Sequence, residues 1–297
     1  MGRVEAPAEF AVTTVHPERS RGTAHLAASE SASRPSTALG LNGAAPLPHP
    51  HLEFRELTVR FGAHLALDHV SFSVPRHSIC AIVGPANSGK SSLLKCINRT
   101  IELVPRAKVS GEVLLGGEPV SAMRDVLSLR RRVGMVLPLP VGLPMSVYDN
   151  VAWAPRSRGV RQRAELDVIV ERALRQAVLW DEVKDRLELL GTRLSGGQQQ
   201  RLTLARALSM EPELLCLDEF SIAIDPVTTM KIEEVLMQLK TTTTVVLSTN
   251  LVQQARRLAD QVVFMNASKL VECGDVASMF ERPRVAMTAR YLRGAIG

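Results

Sequence analysis

The octapeptide Gly84-Pro85-Ala86-Asn87-Ser88-Gly89-Lys90-Ser91 constrains this chain more than any other stretch. Two glycines bracketing four residues, followed by lysine and a hydroxyl residue, form a phosphate loop when a strand precedes them and a helix follows. Both flanks are present. Ile79-Cys80-Ala81-Ile82-Val83 is a short apolar run of the kind buried in a parallel sheet. Ser91-Ser92-Leu93-Leu94-Lys95-Cys96-Ile97 opens a helix with Leu93, Leu94 and Ile97 facing inward. Unpaired backbone N–H groups converge there with the positive end of the helix dipole, which makes an anion site. Lys90 is placed to reach the β- and γ-phosphates, and the Ser91 hydroxyl to hold Mg²⁺. A Gly/Ser-rich turn with an incidental lysine accounts for the loop but not for its flanks. The chain is expected to bind a nucleoside triphosphate.

A second half of such a site lies downstream. Leu214-Leu215-Cys216-Leu217-Asp218-Glu219 is an apolar strand ending in adjacent carboxylates. Asp218 at a strand C-terminus can bind Mg²⁺, directly or through water, across from Ser91. Glu219, one residue on, is placed to polarise an attacking water. Alone, the pair also reads as a strand end with a solvated acidic turn; the upstream loop gives it meaning. Leu194-Ser195-Gly196-Gly197-Gln198-Gln199-Gln200-Arg201 is a Ser-Gly-Gly turn opening a helix, a second anion nest. A simple helix cap explains Ser-Gly-Gly but poorly explains the octet. Two phosphate-binding turns in one chain are both used if two copies pair head to tail, each covering the other's nucleotide.

The remaining pattern frames these motifs. Residues 1 to about 50 are rich in Ala, Ser, Pro, Thr and His, their four arginines balance four glutamates, and they read as a disordered tail. From about 51 to the end one domain is expected. Leu52 and Phe54, then Val70, Phe72 and Val74, alternate with polar residues as half-exposed antiparallel strands do, and Val109 to Leu115 adds another. Residues 161–180 carry Leu166, Ile169, Val170, Ala173, Leu174, Ala177 and Val178 at helical spacing, within a mostly helical stretch of about 120–195. Apolar strands at Leu214–Leu217, Val245–Leu247 and Val262–Met265 alternate with helical segments, so a parallel α/β core with a helical insertion is expected.

The net charge of +6 would suit nucleic acid or an anionic surface, but the basic residues are scattered and only 4% of residues are aromatic. Few bases could be stacked, and no nucleic-acid partner is expected. Cys80, Cys96, Cys216 and Cys273 show no CxxC spacing and read as reduced, packed thiols of a cytosolic protein. No apolar run approaches the roughly 18–20 residues that span a bilayer, nor does the start resemble a secretion signal. Any membrane contact is expected through a partner.

These motifs in this order resemble the ATP-binding subunits of ABC transporters, from about residue 52 to 290. Gly84–Ser91, with Ser92, resembles Walker A, Leu194–Gln198 the ABC signature, and Leu214–Glu219 the Walker B strand with its catalytic glutamate. Ser221-Ile222-Ala223-Ile224-Asp225 resembles the D-loop, with Ile222 where serine is usual, and Phe61 the aromatic that stacks on adenine. The resemblance implies a P-loop NTPase core of α/β class with an antiparallel β subdomain and a helical subdomain insertion. It also implies ATP and Mg²⁺, transmembrane permease subunits and a second ATPase subunit as partners, and a place on the cytoplasmic face of the plasma membrane. Val133-Gly134-Met135-Val136, Pro144-Met145-Ser146-Val147-Tyr148-Asp149-Asn150-Val151-Ala152 and Pro155-Arg156 resemble the phosphate-import ATPases, as does Leu194 to Leu202 with its three glutamines. That implies phosphate as cargo, recognised by the permease and, indirectly, by a phosphate-binding protein.

Two positions depart from the family. After Val136 the family has Phe-Gln, and this chain has Leu137-Pro138; no glutamine occurs before Gln162. Proline offers neither side-chain donor nor backbone N–H. Where the family ends a strand with Ser-Thr-His, this chain has Ser248-Thr249-Asn250, and no histidine follows His77. Asn250 can hydrogen-bond but cannot carry a proton or charge. Binding residues are complete, so a working but slow ATPase that drives phosphate import is expected. The alternative is a hydrolysis-impaired regulatory subunit paired with a competent ATPase. A soluble ATPase acting on DNA or ribosomes would be expected to carry a second cassette or long coiled coil, and the sequence has neither pattern.

Overall fold

The computed structural model describes residues 50–295, and the expected tail lies outside them. An antiparallel sheet comes first: β1 (Pro50–Phe61) and β2 (His64–Pro75), joined later by β4 (Ala107–Leu115) and β5 (Glu118–Pro119), in the order β2-β1-β4-β5. Phe54 and Phe72 face each other in register across β1 and β2, with ring centroids 4.6 Å apart. The alternation read from residues 52–54 and 70–74 therefore corresponds to one buried face.

The second sheet has the order β10-β9-β3-β8-β7-β6. β3 (Ile79–Val83), β6 (Val133–Val136), β7 (Leu214–Asp218), β8 (Thr244–Thr249) and β9 (Gln261–Asn266) run parallel, and β10 (Lys269–Asp275) returns antiparallel on β9. All five residues of β3 are fully buried. They divide by alternation: Cys80 and Ile82 enter a core shared with β1, β2 and α1 (Lys90–Ile97), whereas Ile79, Ala81 and Val83 enter the core on the opposite face. Leu93, Leu94 and Ile97 of α1 are buried in the first core, as their spacing implied. Each such Leu or Ile contributes about 1.5–3 kcal/mol by leaving water.

The stretch of about 120–195 is less uniformly helical than expected. α2 (Val126–Arg132) leads into β6, which pairs with β7 and is the edge strand of the parallel sheet. The tetrapeptide Val133-Gly134-Met135-Val136 is too short to show a period; it is a strand because Leu214–Leu217 supplies its hydrogen bonds. Beyond it, α3 (Val147–Ser157), α4 (Arg163–Gln176), α5 (Trp180–Val183) and α6 (Gly196–Leu208) gather around Val151, Val170, Leu174 and Leu202. The helix expected to about residue 180 ends at Gln176, and Val178 then takes φ +54°. α7 (Pro226–Leu239), α8 (Val252–Leu258), α9 (Val276–Glu281) and α10 (Ala286–Leu292) complete the chain.

The four cysteines are free, three of them buried. Burial pushes the Cys96 thiol up to about 12 and that of Cys273 up to about 11, so both stay protonated.

Candidate nucleotide site

The C-terminal ends of β3, β7 and β8 lie side by side, with Asp218 registered to Ser248 and Val83 to Thr249. The loop after β3 turns at Gly84, with φ +152°, and at Gly89, with φ +103°. A Cβ on Gly84 would sit 2.0 Å from the Met265 carbonyl oxygen, and one on Gly89 2.4 Å from that of Ala66. Only glycine lets the loop pass so close to β9 and β2. α1 begins at Lys90, whose side chain is 4% exposed. Its Nζ donates to the carbonyls of Gly84 and Pro85, both at 2.9 Å, and lies 3.9 Å from Glu219 Oε1. Burial pulls the Lys90 ammonium below its usual range, opposed by Glu219 and Asp218.

Ser248 Oγ donates to Asp218 Oδ1 at 2.5 Å. Glu219 is held at φ +45°, a left-handed conformation that costs a side-chain-bearing residue free energy. Its N–H compensates by donating to the Ser248 carbonyl at 3.1 Å and is also 3.2 Å from Ser248 Oγ. Asn250 Nδ2 donates to Glu219 Oε1 at 2.9 Å. The amide at the altered position therefore holds the carboxylate directly.

A cleft of about 380 Å³ opens beside Lys90 and Glu219, walled by Phe61, by Ala86 to Ser92, and by Pro138 and Glu219. Ser88 Oγ is buried with no hydrogen-bond partner, an orphan that a phosphate oxygen would satisfy. Ser91 and Asp218 offer a hydroxyl and a carboxylate, hard oxygen donors that fit Mg²⁺ arriving with substrate phosphates. Among the described residues no cluster of three or more acidic, His or Cys side chains forms a metal cage.

Ser195 and Gln198 form a capping box at the start of α6: Gln198 N–H donates to Ser195 Oγ, and Ser195 N–H to Gln198 Oε1. Ser195, Gly196, Gly197 and Gln198 are not among the walls of the cleft. Asp225 caps α7 by accepting from Thr228 N–H at 2.9 Å, with Pro226 opening the helix. Sequence reasoning missed three residues. His64 joins the cleft wall across the turn from Phe61. Ser248 binds both Asp218 and Glu219, and its place two residues before Asn250 is a signal only once β7 and β8 are known to pair. Tyr291 stacks on Phe264 at 4.8 Å, and burial pushes its phenol up, opposed by the Gly84 backbone. Nothing local in the sequence marks it.

Residues 67–221 match the family model described as ABC transporter. The chain belongs to the ABC transporter family. It is 46% identical over 83% of its length to the phosphate import ATP-binding protein PstB of Shewanella denitrificans, covering 91% of that protein. It is 43% identical over 84% of its length to the protein of the same name from Thermotoga maritima, covering 99% of it. Among solved structures it matches a bacterial Atm1-family ABC exporter with ATP bound, with a TM-score of 0.72 and 23% identity, over 86% of this chain and 43% of that one. It also matches cbiO1 of Clostridium perfringens, part of the ABC transporter complex cbiONQ, at TM-score 0.67 and 23% identity, over 82% of this chain and 95% of that one. At that identity these two likenesses establish the ABC ATPase fold alone.

Proposed function

We propose that this chain is the ATP-binding subunit of an ABC importer of inorganic phosphate and that it hydrolyses ATP to drive import. The observation that carries the catalytic part is the placement of Lys90 Nζ 3.9 Å from Glu219 Oε1 at the mouth of one cleft. The phosphate cargo rests on relatives 46% and 43% identical that carry the phosphate-import name.

Phe61 stacks on the base. The N–H groups of the loop and Lys90 take the phosphates, for which Lys90 exchanges its two carbonyl partners. Ser91 and Asp218 would hold Mg²⁺, which when bound would neutralise charge on the phosphates. Glu219 accepts a proton from the water whose oxygen bonds to the γ-phosphorus as the bond to the bridging oxygen breaks. Asn250 fixes the carboxylate for that task. Pro138 stands in the cleft wall but offers the γ-phosphate no donor. Ser195, Gly196, Gly197 and Gln198 cover the nucleotide of a second copy, and Asp225 lies at that junction. Permease subunits supply the membrane passage, since no helix among the described residues is long and apolar enough to cross a bilayer. The chain works peripherally, at the cytoplasmic face of the plasma membrane.

Pro138 and Asn250 favour one second reading: a regulatory subunit that binds ATP beside a competent ATPase. Uptake of radiolabelled phosphate by cells of the source organism separates the two. Deleting the chain should lower uptake, the wild-type chain should restore it, and neither Lys90→Ala nor Glu219→Gln should. Restoration by Glu219→Gln would favour the regulatory subunit, and uptake unaffected by the deletion would contradict both readings.

A further inference from the structure

The helix that carries the Ser195 turn is held from outside by one carboxylate. Glu182, on α5, accepts from Gln198 Nε2 through Oε2 at 2.8 Å and from Arg201 through Oε1 at 2.6 Å. Arg201 is 6% exposed and also donates to the Val178 carbonyl. Val178 is β-branched yet held at φ +54°, a strained conformation that persists only where surroundings impose it. The guanidinium that grips its carbonyl has Glu182 as its counter-charge. Arg201 in turn holds the Glu182 carboxyl below its usual range, against the opposing effect of burial.

The contact with Gln198 has a consequence for the turn. An amide presents an oxygen on one side and an NH₂ on the other. Glu182 accepts from the NH₂, so the oxygen must face the Ser195 N–H, which it does at 3.1 Å. A flipped amide would set its oxygen against a carboxylate and its NH₂ against an N–H. With Ser195 N–H spent in this way, the first-turn N–H groups of Gly196 and Gly197 remain for a ligand, because no carbonyl of their own helix can reach them.

We propose that Glu182 is a positioning residue that fixes the Ser195–Gln198 turn in the form that receives the triphosphate held by a second copy. This rests on the reading that the turn acts across an ATP-bound dimer. Glu182 is not among the walls of the chain's own cleft, so its influence falls on the partner's nucleotide.

The test uses the full chain carrying Glu219→Gln, which retains ATP, and follows ATP-driven dimerisation by sedimentation alongside ATP binding at a concentration where the chain is monomeric. Adding Glu182→Ala should weaken dimerisation about 10–100-fold, as expected for loss of a hydrogen-bonded charge, with monomer binding unchanged. Glu182→Gln protects against a folding artefact: it keeps the volume but has one acceptor for two donors, and should give a smaller loss. In a Gln198→Ala background, Glu182→Ala should lose most of its effect, a coupling that a merely structural role would not produce. Dimerisation as tight as the parent's in both Glu182 variants would overturn the proposal, as would equal losses of monomer binding and dimerisation. A Glu219→Gln parent that binds ATP without dimerising would remove the head-to-tail reading itself and overturn the proposal with it.

Discussion

At the N-terminal ends of the parallel strands, polar side chains close on one another, apart from His51 Nε2 and Gln261 Oε1, which are buried without a hydrogen-bond partner. Asp260 accepts from the Ile79 N–H at 2.9 Å with one oxygen and from Lys240 at 2.7 Å with the other. Thr244 Oγ1 accepts from the His77 N–H at 2.9 Å and lies 2.7 Å from His51 Nδ1. At the C-terminal ends the same sheet leaves work undone. Ser88 Oγ has no partner, Lys90 hydrogen-bonds only to two carbonyls, and Glu219 sits in a strained conformation. Buried polar groups are costly unless paired. The first end uses most of its polar groups to seal a core, and the second sets Ser88, Lys90 and Glu219 in the wall of an open cleft. Substitutions at the first end should therefore move stability, and those at the second should move binding and turnover.

Lys90→Ala should separate the two ends most sharply. It removes a buried cation and its charge-assisted contacts with phosphate, so MgATP binding measured by calorimetry should weaken about 100-fold or more. Thermal stability should change little by comparison, and intact binding would break the contrast. Asn250→Ala is next. It frees Glu219 Oε1 from its amide donor, and kcat should fall about 10-fold with MgATP affinity preserved. Asn250→His combined with Pro138→Gln should raise kcat above that of the wild-type chain; a fall would mean that the altered rim has been rebuilt around its own residues.

The other end gives smaller effects in a different readout. Asp260→Ala strands the buried Ile79 N–H and should cost about 1–3 kcal/mol in chemical denaturation, with ATP affinity unchanged. The smallest effect belongs to His51. Burial, assisted by Arg76, lowers its value below the ordinary 6.5 despite Glu213 nearby. As pH falls through 6.5 the unfolded chain takes up the proton before the folded one does. Stability present above that pH is lost on acidification, and His51→Gln should flatten that part of the profile of Tm against pH.

The legible parts of the sequence were those in which local pattern and tertiary role coincide. Residues 79–97 declared strand, loop and helix because the loop needs both neighbours, and the cleft forms there. The carboxylates of Asp218 and Glu219 were readable because an apolar run ended in them. Val133–Val136 was not, because four residues carry no period and their strand is made by β7. Ser248, Tyr291 and Glu182 were also hidden. Their partners Asp218, Phe264 and Gln198 lie 30, 27 and 16 residues away, and contacts at such separations leave no spacing signature. Asn250 was visible as a departure, but its hydrogen bond to Glu219 emerges only from the pairing of β7 with β8.

One measurement bears most directly on a cleft that both binds and cleaves ATP: steady-state MgATP hydrolysis by the purified chain and by Glu219→Gln, with binding measured in parallel. Glu219 as general base predicts measurable turnover in the wild-type chain and a fall of about 10²–10⁴-fold in the variant, with binding retained in both. Turnover that survives Glu219→Gln would contradict its role, and binding without any turnover, even with the permease subunits present, would contradict the ATPase itself.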